Sequence, residues 1–261
     1  MRLVEEHWGT KISLELDDRV SERVLDELRA WFTHVDQLFS TWRPDSEVVR
    51  LASGELRLDQ TSSEVQTVLD DCDRLRIESG GAFDIAVGAH PAAGPAPGRA
   101  PIDPSGYVKG WALERAADVL SARGYHDYWI GAGGDVLTRG RPAPDRRWKV
   151  GIQHPWASDK VADIVEIEDG GVATSGRYER GDHVLDPRTG QPATAWTSVT
   201  VVAPDLGLAD AYATAAMAMG DDGMEWLATL DGVEAMGIAE NRMVVTTPRF
   251  PSIHSRAASL G

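Results

Sequence analysis

The sequence is poor in cysteine and in positive charge, and both shortages limit what the protein can do. Cys72 is the single cysteine among 261 residues, so an internal disulfide and the paired-cysteine sites of zinc and redox proteins are excluded. Lys and Arg total 26 against 41 Asp and Glu, which gives a net charge of −15. A nucleic-acid partner is therefore disfavoured, because binding a phosphate backbone needs clustered basic side chains. A small phosphate-bearing ligand stays compatible if a metal ion or one local Lys offsets the charge.

Long apolar runs and export signals are missing as well. The first residues, MRLVEEHWGT, place acids where a signal peptide needs an apolar segment. No apolar run approaches the roughly 20 residues of a membrane span, and the seven His include no HExxH pair of the zinc-protease type. We therefore expect a soluble cytoplasmic protein without a transmembrane segment, or one whose export signal has been removed.

One polar, turn-rich stretch stands out, GVATSGRYERGDHVLDPRTG at 171–190. It contains the hydroxyl pair Thr174 and Ser175, and His183 follows Asp182. This composition is too polar for a core strand and predicts an ordered loop. The loop is either a site for acid–base chemistry, with His183 as a general base near neutral pH, or a surface hairpin in which His183 only makes turn hydrogen bonds.

Apolar spacing predicts helices and strands that do not alternate regularly. We therefore expect an α+β fold of mixed antiparallel sheets and packed helices. It would be one domain over 1–261, in one lobe or two interleaved lobes, with a flexible loop insertion at about 90–101. Cys72 lies on an apolar helix face and is predicted to be a buried structural thiol. Helices are predicted at 21–40, after a capping box at 61–64, after 103–110, after Pro204 and at 222–230. Strands are predicted at 11–16, 128–140, 148–154, 161–167, 198–203, 233–241 and 242–248. A loop is predicted at 39–51.

Three glycines in this pattern invite a dinucleotide-binding interpretation, which the surrounding residues do not support. Gly131, Gly133 and Gly134 would need a third fingerprint glycine at the position of Val136, followed by a helix. The segment instead predicts a strand, a turn and a second strand, so we reject a Rossmann fold.

A carboxylate, a hydroxyl and an ammonium group are the candidate chemical groups. Asp210 and Thr214 are four residues apart on the helix after Pro204, which places both on one face. Both are hard oxygen donors of the kind that Mg²⁺ prefers, although the spacing alone favours an Asp that stabilises the helix N-terminus and a Thr that only packs. Lys109 and the free N–H groups near 106–110 could contact a phosphate, or Lys109 could simply be solvated.

Five segments in fixed order resemble the ApbE family, the FAD:protein FMN transferases. The resemblance covers the chain from Trp8 to about Asn241. Each segment is modest alone, but five in order make a specific match. They are GGAFD (80–84), the Asp103…Lys109-Gly110 segment, GAGGD (131–135), VATSGRYER…HVLDPRTG (172–190) and SVTVVAPDLGLADAYATAAMAMG (198–220).

The resemblance implies that FAD is cleaved at its pyrophosphate with Mg²⁺ present. FMN is joined through its phosphate to a Thr or Ser hydroxyl of an acceptor protein, and AMP leaves. The implied metal ligands are Asp210, Thr214 and the backbone oxygen of Gly106, and the implied catalytic residues are His183, as base, and Lys109. The implied flavin-binding positions are Trp8, Trp42, Ala82, Phe83, Asp84, Asp103, Lys109 and His183.

Departures from the family pattern concern the flavin pocket and the compartment. Trp8 stands where the family often has Met, and Trp42 stands where it often has Tyr; both keep a surface that can pack on a ring system. The usual Gly-Gly pair is Ser105-Gly106 here, which leaves the backbone ligand plausible. Many family members are exported or lipid-anchored, and this chain has no such signal, so the compartment stays open.

Two other functions would use the same residues. A Mg²⁺-dependent FAD pyrophosphatase would release free FMN and AMP, with water in place of the protein hydroxyl. A flavin-binding or flavin-delivering protein would perform little chemistry. The presence of His183, Asp210 and Thr214 favours cleavage, because these groups are needed to break FAD more than to hold it.

Overall fold

An eight-stranded antiparallel sheet forms the centre of the protein. The computed structural model describes residues 2–16, 20–87, 100–177 and 185–253. The sheet order is β1-β2-β3-β4-β7-β10-β11-β12, and every neighbouring pair is antiparallel. These strands are β1 (Arg2–His7), β2 (Thr10–Leu16), β3 (Tyr128–Ala132), β4 (Asp135–Arg139), β7 (Gly170–Gly176), β10 (Trp196–Ala203), β11 (Glu234–Ala239) and β12 (Val244–Thr246).

Helices cover one face of this sheet. Helix α5 (Leu206–Met219) packs on β7 and β10, α4 (Ser105–Ala122) packs on α5, and α1 (Glu22–Phe39) packs on α4. α4 and α5 are in close contact at Gly110, where a Cβ would lie 2.5 Å from backbone atoms of Leu206 and Gly207. The absence of a side chain at Gly110 therefore sets the spacing of these two helices. In the described part of the chain the α-helices are α1 (Glu22–Phe39), α2 (Glu47–Ser53), α3 (Ser63–Glu78), α4 (Ser105–Ala122), α5 (Leu206–Met219) and α6 (Asp222–Leu227).

A two-stranded ribbon, β5 (Trp148–His154) and β6 (Ala157–Ile167), covers the opposite face. Successive residues of β7 serve the two faces in turn: Ala173 joins the core under the helices, and Val172 joins the smaller cluster under the ribbon. This period of two places Ser175 on the helix side. A second short ribbon pairs β8 (Leu185–Asp186) with β9 (Gln191–Pro192).

The α+β prediction is confirmed, and the strand–turn–strand prediction for 128–140 is confirmed with it. Gly133 and Gly134 have positive φ in the turn between β3 and β4, and no helix follows, which agrees with the rejection of a Rossmann fold. Cys72 is buried as predicted, and its burial raises the pKa of the thiol to about 12. None of the described helices combines the length and apolarity needed to cross a bilayer.

Two predictions of local structure near the N-terminus are wrong. The segment 39–51, predicted as a loop, contains the start of α2, which the Ser46 hydroxyl caps by accepting the Val49 N–H at 3.3 Å. The capping box is displaced by one residue, since α3 is capped by Ser62 and not by Thr61. Strand β1 was not anticipated, because its two apolar residues, Leu3 and Val4, are adjacent and do not alternate with polar ones.

The prediction that 171–190 is too polar for a core strand is wrong for its first six residues, which belong to β7. Gly171, Val172 and Ala173 are small or apolar enough to be buried between the helices and the ribbon. The Thr174 hydroxyl forms a hydrogen bond with the Thr200 hydroxyl at 2.9 Å. Residues 178–184 lie outside the described part of the chain, as does most of the insertion predicted at 90–101.

Candidate active site

The site is built where the first turns of α4 meet the middle of α5 and the turn between β3 and β4. Lys109 of α4 joins the three elements. Its Nζ lies 2.7 Å from Oδ2 of Asp135 and 3.7 Å from Oδ2 of Asp210. Its Cδ lies 3.9 Å from the position that a Cβ would take on Gly133. The alkyl stem therefore runs past the β3–β4 turn, and the ammonium group ends between two carboxylates.

Asp135 is a functional candidate that sequence reasoning did not single out. It opens β4, and only 1% of its surface is exposed. Its Oδ1 accepts the N–H of Thr174 at 3.0 Å, so one carboxylate links strand β7 to Lys109. The available signal was its place at the end of the GAGGD segment, which is both a rejected dinucleotide fingerprint and one of the five segments that resemble the family.

The predicted metal donors are close together. The Thr214 hydroxyl lies 3.1 Å from the Ser175 hydroxyl, at the contact between α5 and β7. A Cβ on Gly106 would lie 3.4 Å from Thr214 Oγ1, so this hydroxyl faces the first turn of α4. Asp210 lies one turn earlier on α5 and is 5% exposed. Ser175, named in the sequence only as half of a hydroxyl pair, is thus a second residue whose role was missed.

These donors fit a hard divalent cation. A carboxylate, a hydroxyl and a backbone carbonyl are oxygen ligands, and Mg²⁺ commonly takes one or two carboxylates while it keeps waters and substrate phosphates. The charges of Asp135, Asp210 and Lys109 sum to −1, which favours an added cation in a buried setting. The described residues contain no group of three or more His, Cys, Asp or Glu that could hold a metal.

One predicted flavin-binding residue, Phe83, lies against this centre, and Ala82 precedes it in the chain. Ala82 and Phe83 are buried, and Phe83 Cε2 lies 3.4 Å from the position of a Cβ on Gly106. The Phe83 N–H donates to the Ser79 hydroxyl at 3.0 Å, which fixes the chain after α3. The Gly80–Asp84 segment is therefore brought to the N-terminus of α4.

The two predicted flavin carboxylates shape the loops on either side of the undescribed insertion. Asp84 Oδ1 accepts the Ala86 N–H at 2.8 Å, and Asp103 Oδ1 accepts the Ser105 N–H at 3.1 Å. The Asp103 N–H also donates to the Ile85 carbonyl at 2.8 Å. This last bond places the Asp84 loop beside the start of α4.

The two tryptophans occupy different surroundings. Trp8 has a φ of 54° in the β1–β2 turn, and its Nε1 donates to the Phe32 carbonyl at 3.0 Å. Thr10, at the end of that turn, has its hydroxyl 3.3 Å from the Cβ position of Gly133, so the turn flanks Lys109. Trp42 follows α1 and is 65% exposed. Flavin contacts by either ring stay predictions.

His183 lies outside the described residues, so its predicted role as base stays a prediction. The chain after it returns to the site, since Arg188 Cγ is 3.8 Å from the Cβ position of Gly81. Arg188 Nε lies 2.9 Å from Asp186 Oδ1. That contact lowers the pKa of the Asp186 carboxyl.

Curated relatives are similar in sequence to parts of this chain. FAD:protein FMN transferase of Klebsiella pneumoniae is 35% identical over 131 residues, which cover 46% of this chain and 37% of that protein. The enzyme of the same name from Rhodobacter capsulatus is 32% identical over 158 residues, which cover 57% of this chain and 30% of that protein. The chain thus spans well under half the length of these relatives. The Chlamydia muridarum protein of this name is 26% identical over 245 residues, 75% of this chain and 74% of that protein.

Solved structures share the fold. The flavin transferase ApbE from Vibrio cholerae superposes with a TM-score of 0.79 at 24% identity, over 96% of this chain and 97% of that one. The ApbE protein of Thermotoga maritima gives 0.79 at 23% identity, over 95% and 97% of the two chains. The family model described as "ApbE family" matches residues 8–93 and 95–237. Because that match takes in most of the sequence, the chain belongs to the ApbE family.

Proposed function

We propose that this protein is a Mg²⁺-dependent FAD:protein FMN transferase, which attaches FMN through a phosphoester to a Thr or Ser of an acceptor protein and releases AMP. The observation that carries the proposal is the meeting of Lys109, Asp210, Thr214 and Gly106 at the start of α4. The names of the curated relatives support the reaction.

The start of α4 is suited to the diphosphate of FAD. α4 has no acidic residue in its first turn, so its positive dipole end and N–H groups can receive an anion. Lys109, three residues beyond Gly106, adds a full positive charge on the same side. Because the net charge of the chain is −15, this local arrangement is what makes a phosphate ligand acceptable.

Asp210, Thr214 and the backbone oxygen of Gly106 would hold Mg²⁺, with Ser175 fixing the orientation of the Thr214 hydroxyl. Bound there, the ion would supply neutralisation of the diphosphate charge and orientation of the phosphate to be attacked. Phe83, packed against Gly106, closes one side of the cradle with an apolar ring. These residues therefore position the phosphates and exclude water.

His183 would take the proton of the acceptor hydroxyl onto an imidazole nitrogen. The acceptor oxygen then bonds to the phosphorus of the FMN half, and the bond from that phosphorus to the bridging oxygen breaks. AMP departs with the bridging oxygen. An unperturbed His has a pKa of about 6.5, which suits this step near neutral pH.

One assay tests the proposal. The protein is incubated with FAD and Mg²⁺, with and without an acceptor protein that carries a Thr-containing flavinylation segment, and AMP is measured by chromatography. AMP that forms only with the acceptor, together with acid-stable flavin fluorescence on the acceptor, is the expected result. AMP without any acceptor would instead identify a pyrophosphatase. No AMP in either mixture would leave only flavin binding.

A further inference from the structure

The buried carboxylate of Asp135 has two partners with different functions. Its Oδ1 accepts the Thr174 N–H at 3.0 Å and so ties β4 to β7. Its Oδ2 lies 2.7 Å from Lys109 Nζ, whereas Asp210 Oδ2 is 3.7 Å from the same nitrogen. One ammonium group thus has two carboxylates within reach and lies closer to the one that is not a predicted metal ligand.

The position of Lys109 matters because an ammonium group and a divalent cation compete for the same oxygens. Lysine is a compact point charge with three donors on a flexible stem, so without a partner at Asp135 it would pair with Asp210. The Lys109–Asp210 ion pair is long, at 3.7 Å, and a closer, hydrogen-bonded contact would occupy Oδ2 of Asp210. The Lys109 side chain is only 27% exposed, and its stem runs beside Gly133, which restricts the alternatives open to it.

We propose that Asp135 is a positioning residue for the cation site: it draws the Lys109 ammonium group onto its own Oδ2, and so limits the competition of that group with a divalent cation for Asp210. Lys109 then stays beside the site as a partner for phosphate. This inference rests on the proposed function, because it assumes that Asp210 binds the cation of the transferase reaction.

The substitution Asp135→Asn separates this role from a purely structural one. The Asn side-chain oxygen can still accept the Thr174 N–H, so the link between β4 and β7 is kept. The Asn nitrogen cannot accept a bond from the ammonium group. Lys109 is then expected to move onto Asp210.

Glu114 offers a matched control outside the site. Its Oε1 accepts the Leu206 N–H at 2.7 Å, and its Oε2 pairs with Arg139. Like Asp135, Glu114 therefore accepts a backbone N–H with one carboxylate oxygen and pairs with a cationic side chain through the other. The variant Glu114→Gln should reproduce any general effect of losing a buried ion pair.

The experiment measures Mn²⁺ binding to the FAD-free protein by electron paramagnetic resonance of the free ion. Mn²⁺ is a suitable probe, since carboxylate and carbonyl ligands suit both Mg²⁺ and Mn²⁺. Asp135→Asn should bind Mn²⁺ about tenfold or more weakly, as changes beside metal ligands commonly do, and Glu114→Gln should bind like wild type. In Asp135→Asn/Lys109→Gln, which has no competing ammonium group, affinity should return to within about threefold of wild type.

Two results would overturn the proposal alone: a folded Asp135→Asn that binds Mn²⁺ like wild type, or a double variant that stays as weak as Asp135→Asn. If wild type itself binds no Mn²⁺, the cation assignment of the proposed function falls first. A crystal structure of Asp135→Asn adds a direct reading, with Lys109 Nζ expected at about 2.8 Å from Asp210. An ammonium group that turned to solvent instead would contradict the account.

A second comparison applies if Asp135→Asn does not fold. Lys109→Gln and Lys109→Gln/Asp135→Asn should bind Mn²⁺ within about threefold of each other, because Asp135 has no ammonium group to position in either. A further tenfold loss in the double variant would mean that Asp135 acts on the cation without Lys109, and the proposal would be wrong.

Discussion

The hydroxyl oxygens of Ser175 and Thr214 lie 3.1 Å apart, although 39 residues separate them in sequence. The contact joins the end of β7 to the middle of α5 on the helix side of the sheet. If Thr214 donates its proton to Ser175, the lone pairs of its oxygen are left for a cation. Ser175, a residue of the polar stretch 171–190, thus contacts and can orient a predicted metal ligand.

The first prediction concerns the Thr214 hydroxyl. Thr214→Val keeps the shape of the side chain and removes the oxygen, so Mg²⁺ should bind at least about tenfold more weakly. Thr214→Ser keeps the oxygen and should stay within about threefold of wild type. Calorimetric titration with Mg²⁺ compares the two, and equal affinity of Thr214→Val and wild type would remove Thr214 from the site.

The second prediction concerns Asp210. Asp210→Ala should abolish Mg²⁺-dependent AMP release, because the carboxylate is the only charged ligand in the proposed set. Asp205→Ala is the matched control on the same helix: it loses the cap that accepts the Leu208 N–H at 2.8 Å. That loss should cost about 1 kcal/mol of stability and leave AMP release intact. Full activity of Asp210→Ala would refute the metal assignment.

The third prediction separates catalysis from binding at His183. His183→Ala should slow flavin transfer by about 100-fold or more, which is the usual contribution of a general base. The dissociation constant of FAD, measured by fluorescence quenching, should change far less. His126→Ala, at an exposed position, should alter neither quantity. Parallel losses of transfer rate and FAD affinity would point to a binding role.

The fourth prediction concerns the spacing of α4 and α5. Gly110→Ala would place a Cβ 2.5 Å from the backbone of Leu206 and Gly207. Relief of this clash requires α4 and α5 to move apart, which would displace the residues of the candidate active site. The free energy of unfolding in urea should fall by about 1–3 kcal/mol or more. Gly151→Ala meets only the Cγ1 atom of Val161, at 3.1 Å, and should stay within about 0.5 kcal/mol of wild type. Unchanged stability of Gly110→Ala would contradict the packing described.

The sequence predicted the secondary-structure elements and the candidate residues better than it predicted their tertiary contacts. The helical period revealed α1 and α5, and the glycines after β3 revealed a turn. The short helix α2 was missed because its seven residues include only two turns of pattern. β7 was misjudged because the polarity of the whole stretch 171–190 was averaged, although Gly171, Val172 and Ala173 at its start are buried.

In the candidate site, too, some residues were identified from the sequence and others only from the structure. The motif positions around Gly106, Lys109, Asp210 and Thr214 were identified from the resemblance, and the structure brings them together. The parts played by Asp135 and Ser175 were not foreseen. The first depends on the pairing of Val136 with Val172 across β4 and β7, and the second depends on the packing of α5 on β7. A strand register fixes which side chains meet, and it is not encoded in the spacing within either strand.

The most direct test of the account is a crystal structure with FAD and Mn²⁺, in which anomalous scattering locates the ion. The account predicts one peak at about 2.1–2.3 Å from oxygens of Asp210 and Thr214, with the FAD diphosphate between it and Lys109. An ion bound elsewhere, or FAD bound with its diphosphate away from the start of α4, would contradict it.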